Sequence, residues 1–213
     1  MENLLTEKQQ NILKVADACS NLYGVYSMTQ LIKVYNEFNK DKITKDEVYH
    51  LCDIDEHEDL CETIFYTDCL AHKSIGDDDI DKIIKAQRGS NFYIPKTYKE
   101  LLSYKNRLYI EPNKAYEEFI TFLKENMITS LKKKEAHDVI DLTLPASYKI
   151  GLPLEMTLFI FAEYGVTFNH NVFGELASSY DKVGATIRMW TRKGLTAKEL
   201  AAYQKVKEKT KIS

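Results

Sequence analysis

The chain has 213 residues, 44% of them hydrophobic and 29% charged, with only eight Gly and four Pro, so collagen-like, low-complexity and wholly disordered chains are excluded. The length suits one compact domain or two small ones. The net charge of −3 does not by itself point to a nucleic acid or to an acidic partner.

Capping boxes mark the predicted helix starts. In this motif a Ser or Thr side chain accepts from an amide three residues on, and a Glu or Gln there reaches back. The motif is found at Thr6–Gln9, Ser27–Gln30, Thr44–Glu47, Thr97–Glu100 and Thr196–Glu199. Apolar residues at helical spacing follow each box, so the sequence predicts a mainly α protein.

The first half has the element order of a winged helix-turn-helix. Helices are predicted over 7–22, over 28–38 and from Lys45 onward. β-branched and aromatic residues then flank the polar pair at 67–68, which predicts a small β-hairpin. We therefore predict a winged-helix-like first domain over residues 1–90.

The second half is predicted to be all helical. The residue before Pro95 is biased away from the helical region, so residues 89–96 form an extended connector. We place the second domain at residues 91–213. Its helices are predicted at 97–106, 113–127, 131–149, 153–164, 170–186 and 197–209. The helix at 153–164 is apolar almost all round, so we expect it to be the most buried of them.

Two stretches of the sequence stand out. The first is Gly89-Ser-Asn-Phe-Tyr-Ile-Pro-Lys with Tyr98-Lys-Glu-Leu-Leu-Ser-Tyr after it. The second is Gly165-Val-Thr-Phe, followed by Thr186-Ile-Arg-Met-Trp-Thr-Arg-Lys-Gly-Leu-Thr-Ala-Lys-Glu-Leu200. Both resemble a poorly characterised family of bacterial proteins, common in low-GC Gram-positive bacteria and their mobile elements.

Many members of that family end in a SEC-C zinc motif, near a Trp-x-x-(Arg/Lys)-Gly-His-Thr-Pro-x-Glu-Leu signature. In this chain Leu195 replaces the His, Ala197 replaces the Pro, and no Cys follows Cys69. Zinc binding through that motif therefore does not carry over. The resemblance implies a fold and a mobile-element lineage, not a reaction.

The small net charge conceals blocks of opposite sign. Residues 46–81 hold 13 acidic side chains and one basic one, whereas residues 82–134 and 182–213 each have a net charge of +7. Phosphates would repel the acids around the third helix, so DNA reading by that helix is disfavoured. The acidic block is either a partner-binding surface or a solvated face. Its candidate binding residues are Asp53, Asp55, Glu56, Glu58 and Asp59.

The basic segments supply a second candidate surface. Three lysines at the start of the helix at 131–149 oppose the preference of a helix N-terminus for negative charge. Near the C-terminus, cations interleave with aromatic residues, an arrangement that suits RNA. In the alternative interpretation, the Trp packs in the core and the lysines solubilise a terminal helix. The candidates are Lys132, Lys133, Lys134, Arg188, Trp190, Arg192, Lys193 and Lys198.

No metal, cofactor or catalytic residue is predicted. The only metal-like cluster comprises His50, Cys52, His57, Cys61, Cys69 and His72. It has no C-x-x-C pair, and residues i and i+3 of a strand point to opposite faces. The acidic surroundings would raise a cysteine pKa, which disfavours a nucleophile. Phosphate-loop, dinucleotide, hydrolase and zinc-protease motifs are missing.

The N-terminal segment is polar and no run of 18 apolar residues occurs, so we predict a cytoplasmic protein with no membrane partner. We predict a non-catalytic binding or regulatory protein that engages a protein or nucleoprotein through oppositely charged surfaces, with RNA as a candidate ligand. A narrower alternative is a mobile-element inhibitor of a host defence nuclease, anti-CRISPR-like, that binds the nuclease or its guide RNA. An enzyme with an unrecognised site and a homodimer paired through its charge blocks also stay open.

Overall fold

The computed structural model describes residues 5–52, 61–66 and 69–211, without the side chains of Cys52, Lys209 and Lys211. The described chain is mainly helical and carries small antiparallel sheets. It divides into two compact units, Met1–Arg107 and Leu108–Ser213. Among these residues, no helix combines the length and the apolar character needed to cross a bilayer.

The first unit alternates helices with short strands. Its elements are α1 (Glu7–Tyr23), β1 (Val25–Tyr26), α2 (Met28–Phe38), α3 (Lys45–Cys52), β2 (Thr63–Phe65), β3 (Leu70–His72), α4 (Asp77–Ala86) and α5 (Tyr98–Ser103). The predicted hairpin is confirmed as the antiparallel pair β2–β3. β1, which no sequence pattern predicted, pairs with the other edge of β3, so the strand order is β1-β3-β2.

α1 forms the centre of the first unit. Every residue from Ile12 to Tyr23 except Lys14 is buried, so nearly the whole circumference of this half of the helix is covered. Gly24 ends α1 with a φ of 70°, a left-handed value that glycine adopts without a Cβ clash. The chain therefore turns directly from α1 into β1. The buried hydroxyls of Ser20 and Thr63, 2.8 Å apart, link α1 to β2.

The extended connector predicted at residues 89–96 packs on the first unit. Tyr23 Oη donates to the carbonyl of Tyr93 at 2.6 Å, and the Tyr23 and Phe92 rings meet edge to face at 5.0 Å. Further along, Tyr98 Oη donates to Asn11 Oδ1 at 2.6 Å. Because these contacts tie the connector and α5 to α1, the first unit extends to Arg107, beyond the boundary predicted after residue 90.

The second unit has a helical body and one small sheet. Its elements are α6 (Lys114–Asn126), β4 (Met127–Thr129), α7 (Lys133–Ile150), α8 (Leu154–Glu163), β5 (Val166–Phe168), α9 (Phe173–Gly184) and α10 (Ala197–Lys211), with 3₁₀ turns at His170–Val172 and Trp190–Arg192. Its core includes Tyr148 of α7 stacked on Tyr180 of α9, with ring centroids 4.5 Å apart.

Two predictions for this half were wrong. It is not all helical, because β4 and β5 pair antiparallel, with Ile128 opposite Thr167. Strands of three residues are too short to show the alternation that identifies a strand. The helix at 153–164 is not deeply buried either, since Phe159 is 58% and Met156 48% exposed. An apolar sequence does not by itself supply neighbours for every face of a helix.

A buried carboxylate anchors the start of the hairpin. Asp17 of α1 is 6% exposed, and its Oδ1 accepts from the Glu62 N–H at 2.6 Å. This hydrogen bond holds the residue that precedes β2 against α1. Burial raises the pKa of Asp17 to about 6, because surroundings of low polarity favour the neutral acid.

Asp17 predicts a pH dependence of stability. Because its pKa is higher in the folded than in the unfolded chain, the free energy of unfolding should fall as the pH rises from about 4 to 6 and stay low above that. An Asp17→Asn variant keeps an oxygen acceptor for the Glu62 N–H and loses the ionisation. It should be more stable than the wild type at pH 7.5, by at most about 3 kcal/mol.

Urea unfolding at pH 4 and pH 7.5 measures this effect, with Asp46→Asn, an exposed acid on α3, as the matched control. The same stability difference between Asp17→Asn and the wild type at both pH values would contradict the role of the buried carboxylate.

Candidate interaction surfaces

Arg188, a predicted binding residue, forms ion pairs and hydrogen bonds within the protein. Its side chain is 10% exposed, and Nε donates to Glu111 Oε1 at 2.7 Å while Nη1 donates to Glu199 Oε2 at 2.6 Å. Nη1 also donates to the carbonyl of Gly194 at 3.0 Å. The guanidinium thus joins the start of the second unit, the 190–194 turn and α10. Its charge is already neutralised, so we leave Arg188 out of the binding surface.

Residues 186–200, the second stretch of the family resemblance, attach α10 to the rest of the second unit. Thr196 and Glu199 form the predicted capping box, with the Thr196 N–H donating to Glu199 Oε2 at 2.9 Å. Burial raises the pKa of Glu199, but the bonds from Arg188 and Thr196 outweigh burial and lower it overall. Trp190 lies in the interior at 4% exposure. This segment therefore has a packing role in the unit.

Lys193 meets a second lysine from α10. It is the only described non-glycine residue with a positive φ, 54°, and it ends the 190–192 turn. Burial lowers the pKa of Lys193, and the charge of Lys207 lowers it further. The two charges therefore lie within electrostatic range of each other, and Lys193 stays a predicted binding residue. Lys198 is exposed nearby in sequence, in the first turn of α10.

The three consecutive lysines lie at the N-terminal end of α7. Lys132, Lys133 and Lys134 are exposed around the first turn of this helix. The 190–192 turn adjoins its last turn, since a Cβ built on Gly151 would lie 3.8 Å from Thr191 Oγ1. The 18 residues of α7 span about 27 Å. The tertiary structure therefore separates the predicted basic residues into two clusters.

The strand pair β4–β5 brings an aromatic residue to the lysine cluster. Thr129 Oγ1 donates to the carbonyl of Gly165 at 2.7 Å, and a Cβ built on Gly165 would lie 3.6 Å from the Leu131 side chain. Tyr164 precedes Gly165 and is 62% exposed, and Lys132 follows Leu131, so this approach brings the backbone of Tyr164 near the start of the lysine cluster. We call this region the strand-pair surface; it consists of Ile128, Lys132, Lys133, Lys134 and Tyr164.

Sequence reasoning missed Tyr164 and Ile128. Tyr164 was assigned to a helix that was expected to be buried, and Ile128, which is 53% exposed, belongs to a strand too short to recognise. The available signal was the Gly165 stop, because the residue before a left-handed glycine leaves the helix and loses its helical neighbours.

The predicted acidic binding residues Asp53, Asp55, Glu56, Glu58 and Asp59 lie outside the described residues. α3, which precedes them, has mixed charge. Its exposed side chains are Lys45, Asp46, Tyr49 and His50, and Lys45 Nζ lies 5.2 Å from the centre of the Tyr49 ring.

Cys19 and Cys61 are buried in the first unit. The Cys61 thiol donates to the carbonyl of Thr63 at 3.2 Å, and burial raises the pKa of Cys61 to about 11. Burial also raises the pKa of Cys19. A nucleophilic cysteine requires the opposite shift. Within the described ranges, no group of three or more His, Cys, Asp or Glu could hold a metal ion; His57 and the Cys52 side chain lie outside them.

No family model matches the sequence, and comparisons with curated proteins and with solved structures also find no match. The family resemblance drawn from the stretches at 89–104 and 165–200 therefore stays a prediction.

The position of Arg188 predicts a loss of stability when it is replaced. Arg188→Met removes the ion pairs that Arg188 makes with Glu111 and Glu199. The free energy of unfolding of the second unit should fall by about 2–3 kcal/mol, less than for a fully buried pair because both carboxylates are partly exposed. Trp190 is the only tryptophan in the chain and lies in the same segment, so its fluorescence during urea unfolding measures the effect.

Lys198→Met is the matched control, because Lys198 is a cation in the first turn of the same helix and is exposed. If the two variants unfold at the same urea concentration, the Arg188 ion pairs do not hold α10.

Proposed function

We propose that this protein is a non-catalytic binding or regulatory protein that engages a protein or nucleoprotein through charged surfaces in its second unit, with RNA as a ligand. The observation that carries the proposal is the strand-pair surface, where the approach of Gly165 to Leu131 brings the segment of the exposed Tyr164 to the start of three exposed lysines. Lysines contact phosphates, and an aromatic ring offers a face on which any base can stack.

The electrostatics of the lysine cluster support an anionic partner. A helix N-terminus carries partial positive charge, so lysines around the first turn of α7 weaken the helix instead of stabilising it. Glu135 compensates little, because its Oε1 is 4.0 Å from Lys132 Nζ and both side chains are more than half exposed. Such a cluster costs stability in the free protein and gains from a bound phosphate.

The first unit supports a partner-binding role of a different kind. Among the described residues, α1, α2 and α3 precede the β2–β3 hairpin and the strand order is β1-β3-β2, which is consistent with the winged-helix-like domain we propose. The mixed charge on the exposed face of α3 is a poor match for DNA phosphates. We therefore assign this unit to protein contacts, with the nucleic-acid contacts in the second unit.

The narrower alternative, an inhibitor of a defence nuclease, depends on acidic residues outside the described ranges. No specific observation favours it, and it is not part of the proposal. An enzyme likewise has no described site that supports it.

The lysine cluster should determine the salt dependence of RNA binding. With a random-sequence single-stranded RNA in fluorescence anisotropy, replacing Lys132, Lys133 and Lys134 together with Gln should reduce the slope of log K against log salt by about 2, because each lost phosphate contact removes about 0.7. The matched control replaces Lys114, Lys182 and Lys205, exposed lysines elsewhere in the unit. Wild-type protein that does not bind RNA at low salt, or equal slopes for the two triple variants, would count against the proposal.

Tyr164 should contribute by stacking. Tyr164→Ala should weaken RNA binding by about 1–3 kcal/mol per stacked base and leave the salt slope unchanged, because no charge is removed. Tyr164→Phe keeps the ring and should bind like the wild type in the same assay. Equal affinity of the Ala and Phe variants would remove Tyr164 from the surface.

A further inference from the structure

A cleft of about 530 Å³ lies at the turn that joins α7 to α8. The turn residues Gly151–Pro153 form one side, the second half of α9 forms another, and Thr191 and Arg192 approach from the 3₁₀ turn. All of these residues belong to the second unit. The volume falls in the range of about 300–1,000 Å³ that is typical of small-molecule sites.

Two stacked tyrosines give the cleft a rigid wall. The rings of Tyr148 and Tyr180 are inclined by only 20°. Their hydroxyls are already used, since Tyr148 Oη donates to the carbonyl of Tyr180 at 3.1 Å and Tyr180 Oη donates to the carbonyl of Leu152 at 2.8 Å. Leu154 and Met189 add apolar surface. This part of the cleft therefore suits an apolar group on a ligand.

Arg192 places its positively charged guanidinium in the cleft. Its Nη1 donates to the carbonyl of Gly184 at 3.0 Å, in the last turn of α9. That contact accounts for one of the five N–H donors of a guanidinium. Burial lowers the pKa of Arg192, which shows that the charged group is partly desolvated. A carboxylate on a ligand would accept from the remaining donors and offset that cost.

Two carboxylates, Glu155 and Asp181, line the same cleft and are exposed. In the described part of the chain, neither has a lysine or arginine nitrogen within 4.0 Å, and Arg192 has no carboxylate at that distance. One cation and two anions therefore share a small cleft without pairing. A ligand that carries both charges would satisfy both kinds of group.

We propose that this cleft binds the zwitterion of an apolar α-amino acid. Its carboxylate lies on Arg192, its ammonium group on the side of Glu155 and Asp181, and its side chain against Leu154, Met189 and the tyrosine pair. This site shares no residue with the strand-pair surface, so amino-acid binding and RNA binding can be tested independently. Through this site, a small molecule would bind to the same protein that binds RNA.

Isothermal titration of the full chain with L-leucine, L-methionine and L-phenylalanine, each to about 10 mM, tests the site, since that is ten times the dissociation constant of a millimolar site. At least one of them should bind. Its N-acetyl and carboxamide analogues, which lack the ammonium and the carboxylate respectively, should each bind at least tenfold more weakly.

Variants test the same assignment from the protein side. Arg192→Met should abolish binding, and Trp190 fluorescence confirms that it folds. Should it unfold, Asp181→Asn combined with Glu155→Gln removes only exposed charges and should weaken binding of the amino acid at least tenfold. Lys198→Met, outside the cleft, should bind as the wild type does. No binding of any of the three amino acids, or equal binding of the parent compound and its analogues, overturns the proposal.

Discussion

The second unit depends on one largely buried cation. Arg188 joins Glu111, the 190–194 turn and Glu199 of α10 through four contacts of its planar head group, whose fixed N–H directions suit carboxylates in a way that a lysine ammonium does not. Because α10 contributes few buried residues of its own, this contact does much to hold the helix to the body. In the sequence the charge of Arg188 looks available for a partner, but in the folded protein it is paired with two carboxylates.

The small sheet β4–β5 has an influence beyond its six residues. It fixes the end of α6, the start of α7 and the end of α8 at one place, and thereby brings the segment of Tyr164 to the first turn of α7. The strands are too short to contribute much stability as a sheet. Their effect is positional: an aromatic ring and three cations that are about 30 residues apart in sequence become one surface.

The charge of the molecule acts through local clusters. The segment at 182–213 has a net charge of +7, yet two carboxylates neutralise Arg188, whereas within the described ranges Arg192 has no carboxylate oxygen within 4.0 Å. A partly buried cation gains from a bound anion, which is the physical basis for the site proposed at Arg192. Segment totals of charge do not distinguish these environments.

The sequence by itself determined the helices, because capping boxes and 3.6-residue spacing are local signals that the chain satisfies wherever it folds. It also determined the β2–β3 hairpin. Only the tertiary structure decided which face of each helix is covered, which strands pair and which charges meet. Phe159 is exposed, Arg188 is largely buried and Gly165 approaches Leu131 because of how distant segments pack. Such contacts leave no periodic pattern in the sequence, so the sequence indicated the lysines at 132–134 but not the residues that the fold brings to them.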